Sequence, residues 1–127
     1  MIERIYLGDR AVKGFEIESQ SEVIRIQIDC ISRLRIDTDM WDFYDEEDIE
    51  NGYMVFYKAY YFEVVPSSII PGDYIIDYKF TKIENGWEFI ISTVGQPNEI
   101  YNGDKESTVR IRYHDCWLED EFKKVIL

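Results

Sequence analysis

From Ile24 to Cys30 every even-numbered residue is apolar (Ile24, Ile26, Ile28, Cys30), and Arg25, Gln27 and Asp29 fill the positions between. Successive side chains of an extended strand point to opposite faces, so this alternation specifies a strand with one face in a core and one in water. Leu34 and Ile36 keep the phase, with Arg33 and Arg35 outward. Ile31 and Ser32 interrupt it, which predicts a long strand with a bulge or a bend near Ser32.

The same period recurs along the chain. Val109, Ile111 and Tyr113 alternate with Arg110, Arg112 and His114, giving another one-sided strand. Asn85-Gly86 suits a two-residue type I′ turn, which needs positive φ at both positions, and predicts a hairpin with Glu84 opposite Trp87. Counting outward sets Phe80 against Ile91 and Tyr78 against Thr93. That register gathers Tyr74, Ile76, Tyr78, Phe80, Trp87, Phe89 and Ile91 on one face, with Asp77, Lys79, Thr81, Glu88 and Ser92 on the other.

Tyr53 to Val65 is apolar on both alternating faces and ends at Pro66, which predicts a central, heavily buried strand or strand pair. Shorter strands are expected at Ile2–Leu7, Ala11–Glu18 and Phe122–Ile126. Ser67–Asp73 and Gln96–Glu106 carry the Pro, Gly and Asn signals of loops. Asp45–Glu50 has the acids and following Gly52 of a single helical turn. The expected fold is all-β, a single-domain antiparallel sandwich or partly open barrel of about seven or eight strands spanning residues 1–127. A helical Leu118–Val125 stretch would turn it into an α+β arrangement.

At 127 residues, with 46% hydrophobic and 16% aromatic side chains, the chain can bury a core without a disulfide or metal staple. The ten tyrosines and seven phenylalanines fit a pleated surface and argue against disorder. The N-terminal residues are charged at once, without the apolar core of a secretory signal, and no run matches a membrane span. A cytoplasmic location with reduced thiols is the expectation.

Charge is distributed very unevenly. Between Asp37 and Glu50 there are eight carboxylates and no base, so eight of the twelve net negative charges fall within fourteen residues. Trp41, Phe43 and Tyr44 are interleaved with them. Nucleic acid is disfavoured as a partner because phosphate binding needs clustered Lys and Arg, and anionic membranes are disfavoured for the same reason. A basic protein is the expected partner, steered by the carboxylates and anchored by aromatics. The candidate protein-binding residues are Asp39, Trp41, Asp42, Phe43, Tyr44, Asp45, Glu46, Glu47 and Asp48. The competing reading folds the aromatics inward and leaves the acids facing water.

Motifs with catalytic chemistry are weak. His114-Asp115-Cys116 brings an imidazole and a thiol together, but thiolate catalysis also needs a contact that lowers the thiol pKa and an oxyanion hole. Cys30, His114 and Cys116 lack zinc-ribbon spacing, and Asp37–Asp42 lacks the third alternating acid and the glycine of an EF-hand. Phosphate loops, a nucleophile elbow and a dinucleotide fingerprint are absent from the sequence. No catalytic residue, metal site or cofactor is expected.

Several segments carry a family resemblance: Ile5-Tyr6-Leu7-Gly8-Asp9-Arg10, Ile26 to Arg33, and Asp48-Ile49-Glu50-Asn51-Gly52. Pro66 to Asp73 and Trp117-Leu118-Glu119-Asp120 also fit. Together they resemble a family of small acidic bacterial proteins with an uncharacterised domain, over nearly the whole length. Such proteins are similar in size and charge to immunity proteins, which bind and neutralise a toxin. The resemblance therefore implies a non-enzymatic binding role. Two other roles compete with it. One is a ligand-binding or enzymatic β-barrel with walls from Tyr57, Tyr60, Tyr61 or Tyr78, and the other is a homo-oligomer subunit joined through Tyr53–Val65.

Overall fold

Eleven strand segments, all paired antiparallel, make up the computed structural model, which describes residues 5–33, 48–95 and 105–126. In chain order they are β1 (Ile5–Tyr6), β2 (Ala11–Glu18), β3 (Val23–Ile28), β4 (Cys30–Arg33), β5 (Ile49–Glu50) and β6 (Tyr53–Tyr57). There follow β7 (Tyr61–Val65), β8 (Asp73–Ile83), β9 (Gly86–Gly95), β10 (Lys105–Tyr113) and β11 (Asp115–Glu119). The larger sheet has eight strands in the order β11-β6-β3-β2-β8-β9-β10-β7, and the smaller has three in the order β1-β4-β5. No described residue is helical, and no helix is long and apolar enough to cross a membrane. The expected all-β class holds, with more and shorter strands than the periodicity suggested.

The large sheet folds back on itself. β2 and β8 share only two residue pairs, Ala11 with Tyr74 and Val12 with Asp73, so the two halves diverge there and face each other. At the other side two strands bend from one half into the other: β6 runs into β7, and β10 runs into β11. Tyr57 pairs with Asp115 before the bend and Tyr61 with Arg112 after it, so four steps on one strand run against three on its partner. Lys58 takes a positive φ of 51° to make the turn. Two backbone hydrogen bonds hold the corner, His114 N–H to the Tyr57 carbonyl (3.2 Å) and Tyr60 N–H to the Arg112 carbonyl (2.9 Å).

Between the halves lies the core. Ile24, Ile26 and Ile28 of β3 point into it, as their spacing predicts, together with Met54 and Phe56 of β6 and Leu118 of β11. From the opposite half come Phe89 and Ile91 of β9 and Val109, Ile111 and Tyr113 of β10. Phe56 joins the halves, its ring 5.3 Å from that of Phe89 and 4.8 Å edge-on from that of Tyr113. The three-stranded sheet adds Ile5, Ile31 and Ile49 at the Ile28 end of β3.

Both faces of β6 are buried, the outer one by Val23, Tyr53, Val55 and Trp117. Above that outer cluster Arg25 donates from Nε to Glu119 Oε1 (2.9 Å), and Trp117 donates its ring N–H to Glu119 Oε2 (3.1 Å). The same arginine reaches Glu18 through Nη1 at 3.0 Å. A buried carboxylate is thereby satisfied on both oxygens, as its position requires.

Several local expectations need correction. The first strand breaks at Asp29, not near Ser32, because the Asp29 carboxylate caps two amides, those of Ala11 (3.0 Å) and Cys30 (2.8 Å). In the hairpin, Glu84 and Asn85 form the turn and Ile83 pairs with Gly86, so Phe80 faces Phe89 and Tyr78 faces Ile91. The two-residue shift leaves each side chain on its expected face, except beyond an irregularity between Ile75 and Asp77. There Ile75 turns inward, while Tyr74 and Ile76 become about half exposed, at 46% and 49%.

Tyr53–Val65 forms two strands, of which β6 is central and buried on both faces as expected, while β7 is a sheet edge. Ile49–Glu50 is strand instead of helical turn, and Leu118–Val125 is not helical. Phe122–Ile126 contributes only a bridge between Val125 and Glu119.

Candidate functional site

At the Val23 end of β3, opposite the small sheet, the core opens into a groove of about 440 Å³. One wall is the end of the β2–β3 hairpin, and the other is the bend leading into β7. Ile17 and Ile24 pair across the hairpin and face inward. Phe62 pairs with the core residue Ile111 and so faces inward from the opposite wall. Beneath them Phe15 and Phe62 meet edge to face with ring centroids 6.3 Å apart. The apolar floor is therefore a continuation of the core that the hairpin does not cover, leaving Ile17 52% and Phe62 37% exposed.

The walls are fixed in position. Glu22, with a positive φ of 56°, ends the hairpin turn, and its carbonyl accepts the Ala59 N–H at 2.9 Å, tying the turn to the bend. Tyr60 packs against His114, ring centroids 5.3 Å apart. Tyr61 donates its hydroxyl to Glu63 Oε2 (3.0 Å) and lies beneath the Arg112 guanidinium at 4.4 Å. The hydrogen bond to Glu63 raises the Tyr61 phenol above its ordinary value, so the ring stays neutral. These contacts pre-organise two aromatic rings at the groove mouth, lowering the entropy lost when something binds there.

Arg112 is itself anchored. On the outer face of β9 and β10, Glu88 accepts from Arg110 Nη1 and Arg112 Nε, each at 2.9 Å, and Arg110 Nε lies 3.6 Å from Glu63. Burial would raise the Glu88 carboxyl, but the two arginines outweigh it and hold it below the usual range. The network therefore takes up the charges of Arg110 and Arg112, while Glu18 and Glu119 take up that of Arg25.

Of the carboxylates lining the groove, Glu18 is paired with Arg25 and Glu22 is left without an ion pair among the described residues. The lining holds these two carboxylates and no base. Hydrogen bonds from Arg25 and Ser21 hold the Glu18 carboxyl below its ordinary value, so it is charged at neutral pH. Glu22 is exposed and makes no side-chain hydrogen bond or ion pair among the described residues.

Backbone groups add to the site. Among the described residues β7 pairs only with β10, and β2 pairs with β8 only at Ala11 and Val12. Tyr61–Val65 and Lys13–Glu18 thus each carry a free strand edge beside the groove.

The structure separates the residues that sequence grouped as chemical candidates. Cys116 sits opposite Phe56 and packs against the core, and burial pushes its thiol well above the ordinary value. His114 occupies the exposed step between β10 and β11, its ring tilted against that of Tyr60. Cys30 is half-buried, with its thiol also raised by burial. Neither cysteine has the lowered pKa of a nucleophile. No group of three or more His, Cys, Asp or Glu is arranged to hold a metal ion among the described residues.

Of the acidic binding candidates, Asp39, Trp41, Asp42, Phe43, Tyr44, Asp45, Glu46 and Glu47 lie outside the described residues. Asp48 is half-buried just before β5, and its Oδ1 is buried without a hydrogen-bond partner. Of the four tyrosines proposed as barrel walls, Tyr60 and Tyr61 line the groove, and Tyr57 and Tyr78 do not.

Sequence reasoning did not find the groove. Phe15 and Ile17 alternate with Glu16 and Glu18, which reads as an ordinary one-sided strand. Only the bend at Lys58–Tyr60 reveals that the hairpin stops short of covering its own apolar face.

Residues 1–125 match the model of a family described as "Family of unknown function (DUF6258)". The chain belongs to this family. The expected likeness to a family with an uncharacterised domain is thereby met over nearly the whole length. No curated protein matches it, and no solved structure matches it.

Proposed function

We propose that this DUF6258 member is a non-enzymatic protein-binding module that receives a basic protein at the groove between the β2–β3 hairpin and β7. The observation that carries this reading is the groove's composition, an apolar aromatic floor whose lining bears carboxylates and no base. Apolar and aromatic surface supplies affinity, while negative charge raises the association rate with a basic partner. The chain's net charge of -12 works in the same direction. Both thiols are shifted away from reactivity, which supports a role without covalent chemistry. In its most specific form, the partner is a basic toxin that the module neutralises in the cytoplasm of a bacterium.

The alternative of a small-ligand barrel draws support from Tyr60 and Tyr61 at the groove mouth. It fits less well, because ligand sites usually enclose most of their ligand and this groove is open to solvent.

The test is affinity capture from the source organism's lysate with wild type, Phe62→Asp, and a variant neutralised at Asp45, Glu46, Glu47 and Asp48. The reading expects wild type to retain a basic protein, Phe62→Asp to lose it, and the neutralised variant to bind more slowly with a flatter salt dependence. Equal retention of the same protein by wild type and Phe62→Asp would rule the groove out.

A further inference from the structure

Resting on that protein-binding reading, we infer the mode of binding: the partner adds an extended strand to the free edge of β7, with apolar residues alternating with Lys or Arg.

The edge geometry supplies the first argument. An edge strand directs the N–H and C=O groups of alternate residues away from its neighbour, so among the described residues β7 offers unpaired donors and acceptors along Tyr61–Val65. Proteins usually protect such edges with lysine, inward charge or a cover. Tyr61-Phe62-Glu63-Val64-Val65 contains no lysine, and among the described residues no strand pairs with its outer edge. A strand added there would lie over the groove. Its inward side chains would meet Phe62 and Ile17, surface now left uncovered.

Charge decides the occupant. A second copy of this chain would bring another net charge of -12 to an edge beside Glu18 and Glu22, so self-pairing is opposed by repulsion. A segment alternating apolar residues with Lys or Arg meets both needs, since alternate side chains fall on opposite faces of a strand. The apolar set enters the groove, and the basic set stays in solvent within reach of the rim carboxylates.

The experiment uses the full chain, isotope-labelled, titrated with an acetylated and amidated hexapeptide alternating valine and lysine, followed by amide NMR and calorimetry. A second peptide of the same sequence carries an N-methyl group on every backbone amide, keeping charge and side chains but removing the donors. Strand addition predicts shifts at the Tyr61–Val65 amides and at least about tenfold weaker binding of the methylated peptide. Glu22→Lys, at an exposed turn residue, should weaken the unmethylated peptide without affecting folding. Equal binding of the two peptides, with loss in Phe62→Asp, would overturn strand addition while leaving the groove as the binding site. No binding of either peptide, or undiminished binding to a folded Phe62→Asp variant, would overturn both. Self-association of the wild type through Tyr61–Val65 would replace the basic strand by a second copy and overturn the assignment of the occupant.

Discussion

Phe15 on β2 and Phe62 on β7 touch edge to face across the open end of the core, with ring centroids 6.3 Å apart. Neither strand pairs with the other, and this aromatic contact joins two edges that are free among the described residues. It places apolar surface where a binding groove needs it and leaves the backbone on either side available.

Replacing Phe62 by Asp separates binding from folding. The side chain is 37% exposed and lies outside the fully buried core, so the expected stability loss is about 1–2 kcal/mol, with the far-ultraviolet spectrum unchanged. Urea denaturation followed by fluorescence checks this. A loss as large as that of a core truncation would mean that Phe62 is principally structural.

Phe56 gives the contrasting case. It is fully buried between the halves and stacks on Phe89, so Phe56→Ala should cost about 3–5 kcal/mol. The same denaturation assay measures it, and a loss below about 1 kcal/mol would contradict the assignment of this pair as the contact that joins the halves.

Glu88→Gln tests the arginine network through pH. The native Glu88 carboxyl is held below its ordinary value of 4.5, so its contribution is fully present above that value and is lost as pH falls through the depressed native value. At neutral pH the variant should be less stable by about 1–2 kcal/mol, a figure reduced because both arginines are partly exposed. The difference should shrink on acidification and vanish below the native value. A difference that stayed constant with pH would show that the charge on Glu88 contributes nothing.

Gly86 occupies a strand position in close contact with β10. Its φ is +153°, and a Cβ there would stand 2.4 Å from the Tyr113 carbonyl oxygen. Gly86→Ala should therefore destabilise the protein by about 2 kcal/mol or more, read as a lowered thermal midpoint. An unchanged midpoint would mean that β9 and β10 separate at this end without cost.

The parts legible in the sequence were those set by side-chain period. Ile24, Ile26 and Ile28 face the core, as do Val109, Ile111 and Tyr113, because alternation alone assigns a face. The hairpin register was not legible, since Asn85-Gly86 signals a type I′ turn at those two residues, whereas the turn falls on Glu84 and Asn85, neither with positive φ. Only the close approach of Tyr113 shows why Gly86 belongs to the strand. Arg110, Arg112 and Glu88 could each be placed on an outward face, but the pairing of β9 with β10 that joins them is long-range. The groove was hidden for a similar reason: Ile17 and Phe62 carry ordinary strand signals, and their exposure follows from where the bend at Lys58–Tyr60 leaves the two edges.

The most direct test of the binding account is hydrogen–deuterium exchange on the complex with the basic protein captured by the wild type. The account predicts new protection at Tyr61–Val65 and along Ile17–Glu22. Unchanged exchange there, with protection appearing elsewhere on the molecule, would contradict it.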